Sequence, residues 1–580
     1  SGAVTHLTPA VGILYRTGTT KSEDLIRMDN QRVFIWGAVA LVWFFLYQAW
    51  LVDNTVVPVR PAASPVTQSA PGEIPVAASL DSAELPSVAA PTGDDPVEAA
   101  QETGGNNFVQ VTTDVFDLLI NTQGADIQQL ELNRYPVAKN QPDVHMRLLD
   151  TTVGHDFVYQ TGLRIPGAAD EPTHLAAYAS AKTEYRMQDG ENTLDVPFTW
   201  TDANGLVVTK VYTFTRGGYR IGLNYSVENR SNVDVTVAPY LQLRRDAVVR
   251  SRSMTDVDSY SYIGPVLYNG EKYQKLNPED LAEEPVSLTA TGGWIASIQH
   301  HFLVAAIPHT GDSYGYKVNL TRRGQVLQSA IGLPQSLPAG QSTSVEQTLF
   351  AGPKLQDQME ATANGLKLTV DYGWLTVISQ PLFWVLRKIQ SYVGNWGWSI
   401  ILLTMMIKLV FYKLQETSGR SMAKMRNMQP RVKHLQERFK DDRQGLSQAM
   451  MELYRKEKVN PAAGCLPIVV QMPVFIALYW VLIESVEMRQ APFALWLNDL
   501  SSKDPYFVLP LLMGITMFFQ QKLNPTPPDP IQAKVMMAMP VVFTVFFAFF
   551  PSGLVLYWFV NNLLSIAQQW RINKVVAREH

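Results

Sequence analysis

One cysteine, Cys465, occurs in 580 residues, so no disulfide can close within the chain and no cysteine cluster can hold a metal. It opens a long apolar run, where a small buried side chain is the favoured reading over a disulfide between chains. Histidine is also scarce. His6, His145, His155, His174, His300, His301, His309, His434 and His580 all fall outside the membrane-length apolar runs, which excludes imidazole chemistry there. No Gly-x-x-x-x-Gly-Lys-Ser/Thr loop is present to cradle a phosphate, so any nucleotide-derived energy has to come from a partner. The formal net charge is only −4, so the whole chain has no strong pull on nucleic acid, and the charge of each loop matters more. No cofactor, metal or catalytic constellation is expected.

The sequence does contain several compositions in series, and 580 residues exceed one ordinary domain. Residues 1–27 precede Met28 and are set aside as a non-native or mis-assigned leader. From Met28, Arg32 leads into the apolar run Val33 to Val52. At about 1.5 Å per residue this run crosses a hydrocarbon core of about 30 Å. No small-x-small cleavage site closes it, so residues 28–52 read as an uncleaved signal anchor with its N-terminus inside. Residues 53–105 are rich in Pro, Ala and acidic side chains with Arg60 as the only basic one, the composition of a flexible linker. Across 106–347, segments such as Phe108-Val-Gln-Val-Thr-Thr and Val207-Val-Thr-Lys-Val-Tyr-Thr-Phe alternate with period two between Asn-Gly and Gly-Gly turns. This predicts one large antiparallel β-sandwich domain on the periplasmic side.

Residues 366–393 form an amphipathic aromatic segment, with Trp374, Leu375, Ile378, Leu382, Phe383 and Leu386 assigned to its apolar side. Gln380 and Pro381 interrupt it, so it reads as an interfacial helix. Five further spans are expected at Trp396 to Leu414, Leu466 to Val486, Tyr506 to Gln521, Val535 to Phe550 and Leu554 to Ile572. In domain terms these occupy 394–414, 464–487, 506–521, 535–550 and 552–572, with short loops at 488–505 and 522–534. The spans at 506–521 and 535–550 are each about 16 residues, short enough to thin the surrounding bilayer. The segment Gln415 to Lys458 holds eleven Lys or Arg against six acidic residues, whereas 484–504 is the more acidic. Positive-inside logic puts the former, within a helical hairpin at 415–463, in the cytoplasm with the tail 573–580, and the loop 488–505 outside. The fold expected is a polytopic α-helical membrane protein of six spans with a periplasmic β domain.

The polar residues inside the apolar runs are few. Lys408 sits in Ile400-Ile-Leu-Leu-Thr-Met-Met-Ile-Lys-Leu-Val-Phe-Tyr, where a central lysine costs roughly 2.5–3.5 kcal/mol. It therefore either faces protein or a wet cavity, together with Thr404 one turn before it, or snorkels to the cytoplasmic interface. Thr516 and Gln520 share a face, as do Tyr557, Asn561 and Ser565, while Gln471 and Thr544 stand alone. Such residues glue helices together or line a hydrophilic groove. In the cytoplasmic segment, Met422, Met425, Met428, Val432, Leu435 and Phe439 recur at helical spacing opposite Leu446, Met450 and Leu453. That pattern predicts two helices, joined at 441–445, packed on each other. The adaptable methionines beside the basic Lys424, Arg426, Arg431 and Lys433 also suit contact with a ribosome, RNA or a targeting receptor.

Several stretches carry a family resemblance: Leu368-Thr-Val-Asp-Tyr-Gly-Trp-Leu, Gly394-Asn-Trp-Gly, Ser421-Met-Ala-Lys-Met, Gln429-Pro, Glu457-Lys-Val-Asn-Pro, Gln471-Met-Pro-Val-Phe, Arg489-Gln-Ala-Pro-Phe and Phe550-Pro-Ser-Gly-Leu-Val-Leu-Tyr. Together they resemble the YidC membrane protein insertases of Gram-negative bacteria, from Met28 onward and most specifically after Leu366. The resemblance implies a five-helix core with a groove open to cytoplasm and lipid, an anchoring helix, and a periplasmic β-supersandwich. It implies nascent membrane proteins as substrates, and the lipid bilayer, the ribosome, the Sec translocon and the signal recognition particle receptor as partners. The family's groove cation is an arginine, matched here by Lys408, and the proline of its Tyr-Pro-Leu is Lys413. Lysine keeps the charge but loses the planar fork. Tyr557 and Trp558 match the family's substrate-contacting region.

The expected mechanism is a hydrated, cationic groove that shortens the path of a substrate's polar flank through hydrocarbon, without nucleotide. Three other readings compete. A solute transporter or channel calls for inverted repeats or broken helices in matching halves, which the sequence lacks. A sugar-processing β domain rests on fold analogy alone. An intramembrane protease centred on Ser552 has no histidine to activate it.

Overall fold

The computed structural model describes residues 107–152, 155–248, 261–439, 442–457, 459–460, 466–524 and 530–579. The expected leader, anchor span and linker lie outside the described residues.

Period-two alternation decides the first half of the described chain. Strand Leu206–Thr215 buries Leu206, Val208, Lys210, Tyr212 and Phe214 and turns the residues between them outward. Strands of this kind assemble three sheets among the described residues. The first has five strands, running Gln141–Leu149, Asp126–Ala138, Phe116–Asn121, Phe108–Thr112 and Glu184–Arg186. A second sheet centres on Val235–Asp246, which pairs with Gln325–Gly332 on one side and Phe157–Arg164 on the other. The third runs over eight strands from Tyr273–Lys275 to Thr193–Thr201 and contains Phe302–Pro308 and Ser342–Pro353. The expectation of a purely antiparallel domain fails at one edge, where Phe108–Thr112 and Glu184–Arg186 run parallel. A long excursion separates them in sequence, and parallel neighbours require such a crossover. The inner faces close over Trp294, Tyr212, Tyr225 and Tyr240, all fully buried. The last strand continues past Gln347 to Pro353.

Helices follow the β region, and we number them in chain order from the short α1 (Pro278–Glu283) inside it and α2 (Gln356–Thr362) after it. Next come α3 (Thr376–Val393), α4 (Trp396–Val410), α5 (Tyr412–Asn427), α6 (Gln429–Arg438) and α7 (Arg443–Lys456). The last four are α8 (Leu466–Glu484), α9 (Val508–Leu523), α10 (Pro530–Phe547) and α11 (Ser552–Glu579). Among the described residues no single helix is long and apolar enough to cross a membrane, although the bent pair α4 and α5 passes that test jointly.

Several boundaries depart from the sequence-based expectation. The amphipathic helix starts at Thr376, after two 3₁₀ turns, and runs through Pro381 without interruption. Burial of Phe383 and Leu386 and the packing of this helix against α4 and α8 offset the hydrogen bond that proline removes. Trp374 belongs to the opposite, outer face with Val377 and Trp384, at 80% exposure. The expected span to Leu414 stops at Val410, where the chain bends by 69° into α5, because the sequence beyond Phe411 turns polar. The first arm of the expected hairpin at 415–463 is two helices, since Pro430 at the second position of α6 cannot continue α5. The tail from 573 is the last turns of α11. Gly514 lets α9 and α10 touch: a Cβ there would lie 1.9 Å from the Thr544 hydroxyl.

The β region seats on the turn after α8. Arg489 donates to the carbonyls of Pro136 (2.9 Å) and Val137 (3.0 Å), and Lys139 donates to that of Asn498 (2.5 Å). The rings of His300 and His301 reach the Ile483 carbonyl at 3.2 and 2.8 Å, capping the C-terminal end of α8, and the buried Lys354 lies 3.9 Å from Glu484.

Candidate functional site

Lys408 lies in the last turn of α4, and its position follows from what its ammonium can reach. Only 9% of it is exposed. Nζ donates to Ser565 Oγ at 2.7 Å and to Gln415 Oε1 at 3.4 Å. The bend after α4 is what brings Gln415, on α5, within reach. Ser565 Oγ donates to the Asn561 carbonyl at 2.7 Å, and Asn561 Oδ1 accepts from Gln471 Nε2 at 2.8 Å. A polar ladder therefore joins α4, α11 and α8 through a surround of Leu, Ile and Phe.

The ladder leaves its charge uncompensated. No carboxylate among the described residues pairs with Lys408, and its contacts are a neutral hydroxyl and a neutral amide. An ammonium has three N–H donors and two are engaged, so one remains for an incoming acceptor. In low dielectric that free donor and the full positive charge attract a carboxylate more strongly than either would in water.

Not every polar residue of the apolar runs belongs to this ladder. The Thr404 hydroxyl, buried one turn earlier, bonds to its own helix at the Ile400 carbonyl, 2.7 Å away. Thr516 donates to the Met513 carbonyl at 2.7 Å and meets Asn562 Nδ2 at 3.5 Å, so it ties α9 to α11 on another side. Gln520 is half-buried and stands apart from the ladder. Thr544 bonds back to the Pro540 carbonyl at 2.7 Å. Tyr557 is 2% exposed and stacks on Phe475 at 6.2 Å. Trp558 packs edge-on to Phe475 at 5.0 Å and against Phe547 at 5.4 Å. Its indole N–H is buried with no hydrogen-bond partner among the described residues, an unspent donor beside the ladder.

Sequence reasoning missed Gln415, Asn562 and Phe475. Gln415 lies seven residues after Lys408, on the same face of a straight helix but about 10.5 Å along it, so spacing alone does not bring the two into contact. Asn562 had a signal, since it adjoins Asn561 in the last apolar run.

Below the ladder, Ala423 of α5 packs with Ile572 and Val576 of α11, and Gln569 donates to the Gly419 carbonyl at 3.3 Å. Helix α5 thus leans on α11, while α6 and α7 contact each other. Met422 and Met425 are half-buried, whereas Lys424, Arg426 and Lys433 are exposed. Arg431 pairs with Glu457 at 2.6 Å. Among the described residues no group of three His, Cys, Asp or Glu side chains could hold a metal. Ser552 donates to the Asp499 carbonyl at 2.8 Å and serves the loop.

Comparison with known proteins gives the same order of parts. Residues 108–385 match a family model described as the YidC periplasmic domain, and residues 388–579 match one described as the 60Kd inner membrane protein. A "Membrane protein insertase YidC" of Methylococcus capsulatus is 46% identical over 95% of this chain and 99% of its own length. The protein of that name from Thioalkalivibrio sulfidiphilus is likewise 46% identical, over 95% and 99%. A crystal structure titled as an active YidC insertase with its first transmembrane domain resolved aligns at TM-score 0.35 and 18% identity, covering 81% of this chain and 94% of that one.

Proposed function

The chain belongs to the YidC family of membrane protein insertases, and on that premise we propose that the Lys408 ladder is the polar lining along which a substrate's flank enters the bilayer. It is a membrane protein insertase of the inner membrane with a periplasmic β-sandwich domain and a set of C-terminal helices. The helices α4 and α8 to α11 form the five-span core, and with the segment 28–52 they make six spans. Both termini lie in the cytoplasm, where α5 to α7 present Lys424, Arg426, Arg431 and Lys433 beside Met422 and Met425 to the ribosome or a targeting receptor. The Sec translocon is the further partner.

Thr404, Gln471, Thr516, Gln520, Tyr557, Trp558, Asn561 and Ser565 line or border the route, and Lys408 supplies its charge. A carboxylate on a short translocated tail loses water on entering hydrocarbon, and attraction to the Lys408 ammonium offsets part of that loss. Burial of the substrate's apolar helix then drives release sideways past Tyr557 and Trp558 into lipid, without nucleotide or covalent chemistry. The observation that carries this reading is the buried ammonium with a donor to spare and no counter-charge among the described residues.

The test is insertion of a single-span substrate with an acidic periplasmic tail by reconstituted protein. Lys408→Arg keeps most activity, Lys408→Ala loses most of it, and Lys408→Glu loses more, whereas a tail with its carboxylates neutralised is insensitive to all three. Normal insertion of the acidic tail by both Lys408→Ala and Lys408→Glu would show that the charge has no such role.

A further inference from the structure

Loops that face water put carboxylates outward and apolar side chains inward; the connection from α8 to α9 does the reverse. Asp504 is 1% exposed and spends its oxygens on Trp496 Nε1 (3.0 Å), Tyr506 N (3.0 Å) and Leu509 N (2.7 Å). Asp499 accepts from Gln490 N (3.0 Å), Ser501 N (2.9 Å) and Ser501 Oγ (2.7 Å). Meanwhile Leu495 is 85% exposed, Tyr506 69% and Phe507 45%. The excess of acid that a residue count assigns to this segment is folded into the loop's own scaffold.

The backbone sharpens the point. Leu495 and Phe507 both sit at φ 55°, a left-handed conformation where glycine or asparagine is the usual choice. A large apolar side chain held there, pointing away from protein, is doubly unfavourable in water. The backbone strain is the same in any solvent, whereas the exposure penalty is relieved if what lies outside is not water.

We propose that this loop is embedded in the periplasmic leaflet of the bilayer, with Leu495 as a wedge into the acyl chains and Tyr506 and Phe507 as its aromatic rim. The inference rests on α8 and α9 being membrane helices. Its lipid occupant follows from continuity: the exposed strip Tyr506–Phe507 runs on through Leu511, Leu512 and Ile515 of α9. Nearby, Asn395 Nδ2 donates to the Phe493 carbonyl at 3.0 Å and joins the loop to the start of α4, where exposed Trp398 and Leu402 begin a second such strip. Trp496, bonded to Asp504, links the part carrying Leu495 to the part carrying Tyr506. The exposed Lys503 can reach up to anionic headgroups. The opposite side of the loop is already taken, since Arg489 and Asn498 hold the β-hairpin around Pro136 and Lys139. The loop is thereby a layer between the β domain above and lipid below, and it fixes how deep the helical core sits.

The experiment uses the full chain with Cys465→Ser and one new cysteine carrying a nitrobenzoxadiazole probe. The protein is reconstituted into phosphatidylethanolamine and phosphatidylglycerol vesicles with or without brominated acyl chains. Probes go at Leu495→Cys, at Val541→Cys on the exposed face of α10, and at Leu333→Cys on the β domain. The inference expects the 495 probe to be blue-shifted and bromine-quenched like the 541 probe, and shielded from aqueous iodide, with the 333 probe quenched by iodide alone. If 541 is quenched by bromine and 495 behaves like 333, the loop is in water and the inference fails while the membrane reading of the helices stands. Absence of bromine quenching at both overturns the two together. A 495 probe that is iodide-accessible in these vesicles and shielded only after a substrate or another protein is added assigns the surface to that partner and also overturns lipid occupancy. Since labelling could perturb the loop, unlabelled Leu495→Asn provides a second reading. Asparagine suits the left-handed backbone, so detergent-solubilised protein should melt no lower than the parent, and its release from vesicles by detergent should come earlier.

Discussion

Among the described residues three lysines are buried, Lys210, Lys354 and Lys408, and the surroundings of the first and the last are opposite. Lys210, in the β-sandwich, has none of its surface exposed and reaches Asp126 Oδ1 at 2.9 Å and the Gly124 carbonyl at 2.8 Å, with the rings of Tyr178, Tyr212 and Tyr225 within 5.9 Å. Lys408, in the helical part, has a hydroxyl and an amide. Burial pushes Asp126 up to about 7 and pushes Lys210 down, each opposed by the other's charge. The first lysine is satisfied on every side and can do nothing but hold the sandwich together. Lys408 is held in place yet left wanting an anion. A buried cation with its partner built in is architecture, and in the function proposed for Lys408 the partner arrives with the substrate.

The largest expected effect breaks the satisfied pair. Lys210→Met strands a carboxylate in the β core, and removing one partner of a buried pair costs about 3–5 kcal/mol. The β domain of that variant should melt far below the parent, and Lys210→Met/Asp126→Leu should recover most of the loss because no charge is left stranded. Applied to Lys408, methionine strands nothing, so the melting temperature should hold while insertion of acidic tails falls. Equal destabilisation by the two substitutions would erase the distinction drawn between them.

How far the sequence carried each region follows from the same physics. Period-two alternation is local, so the β-sandwich could be read from segments such as Val207 to Phe214, and Lys210 on the buried stripe was visible as an oddity in retrospect. Its partner was not, because Asp126 lies on a different strand of a different sheet. In the helical part, the four-residue spacing of Tyr557, Asn561 and Ser565 survives into the ladder since α11 is one unbroken helix. The link from Lys408 to Gln415 was illegible because it depends on a 69° bend that no spacing rule contains. Pro381 misled in the other direction, where packing overrode a local breaker. The parallel edge at Glu184–Arg186 depends on a crossover whose path lies in tertiary structure.

A middle-sized effect sharpens the comparison at the seam between the two regions. His301 donates to the end of α8, and burial, only partly opposed by the Ile483 carbonyl, pushes its pKa down from 6.5 to about 4. A depressed histidine stabilises the folded state above about pH 6.5, and that contribution is lost as pH falls toward 4. Melting of the detergent-solubilised chain should therefore decline between these values. His174, pushed down to about 3 by burial in the sandwich, adds its own loss over the same interval and on down toward pH 3. His301→Gln keeps a donor without a titration, and should make the decline between about pH 6.5 and 4 shallower while leaving the share due to His174. An unchanged profile in that variant would mean that the seam contributes nothing measurable.

The smallest expected effect comes from a charge pair that, unlike Lys210 and Asp126, lies in solvent. Arg387 of α3 grips Asp357 of α2 with both terminal nitrogens, at 2.8 and 2.5 Å, a better fork than the sandwich pair has. Yet the two side chains are 44% and 70% exposed. Water screens the attraction and already solvates each ion, so geometry alone is worth little, about 0.2–1 kcal/mol for exposed pairs. Arg387→Gln should lower the melting temperature only slightly, and raised salt should shrink even that difference. The measurement belongs in neutral detergent, where no headgroup charge can mimic the ion pair. A loss comparable to that of Lys210→Met would mean that the grip of α2 on α3, rather than burial, decides what a charge is worth in this chain.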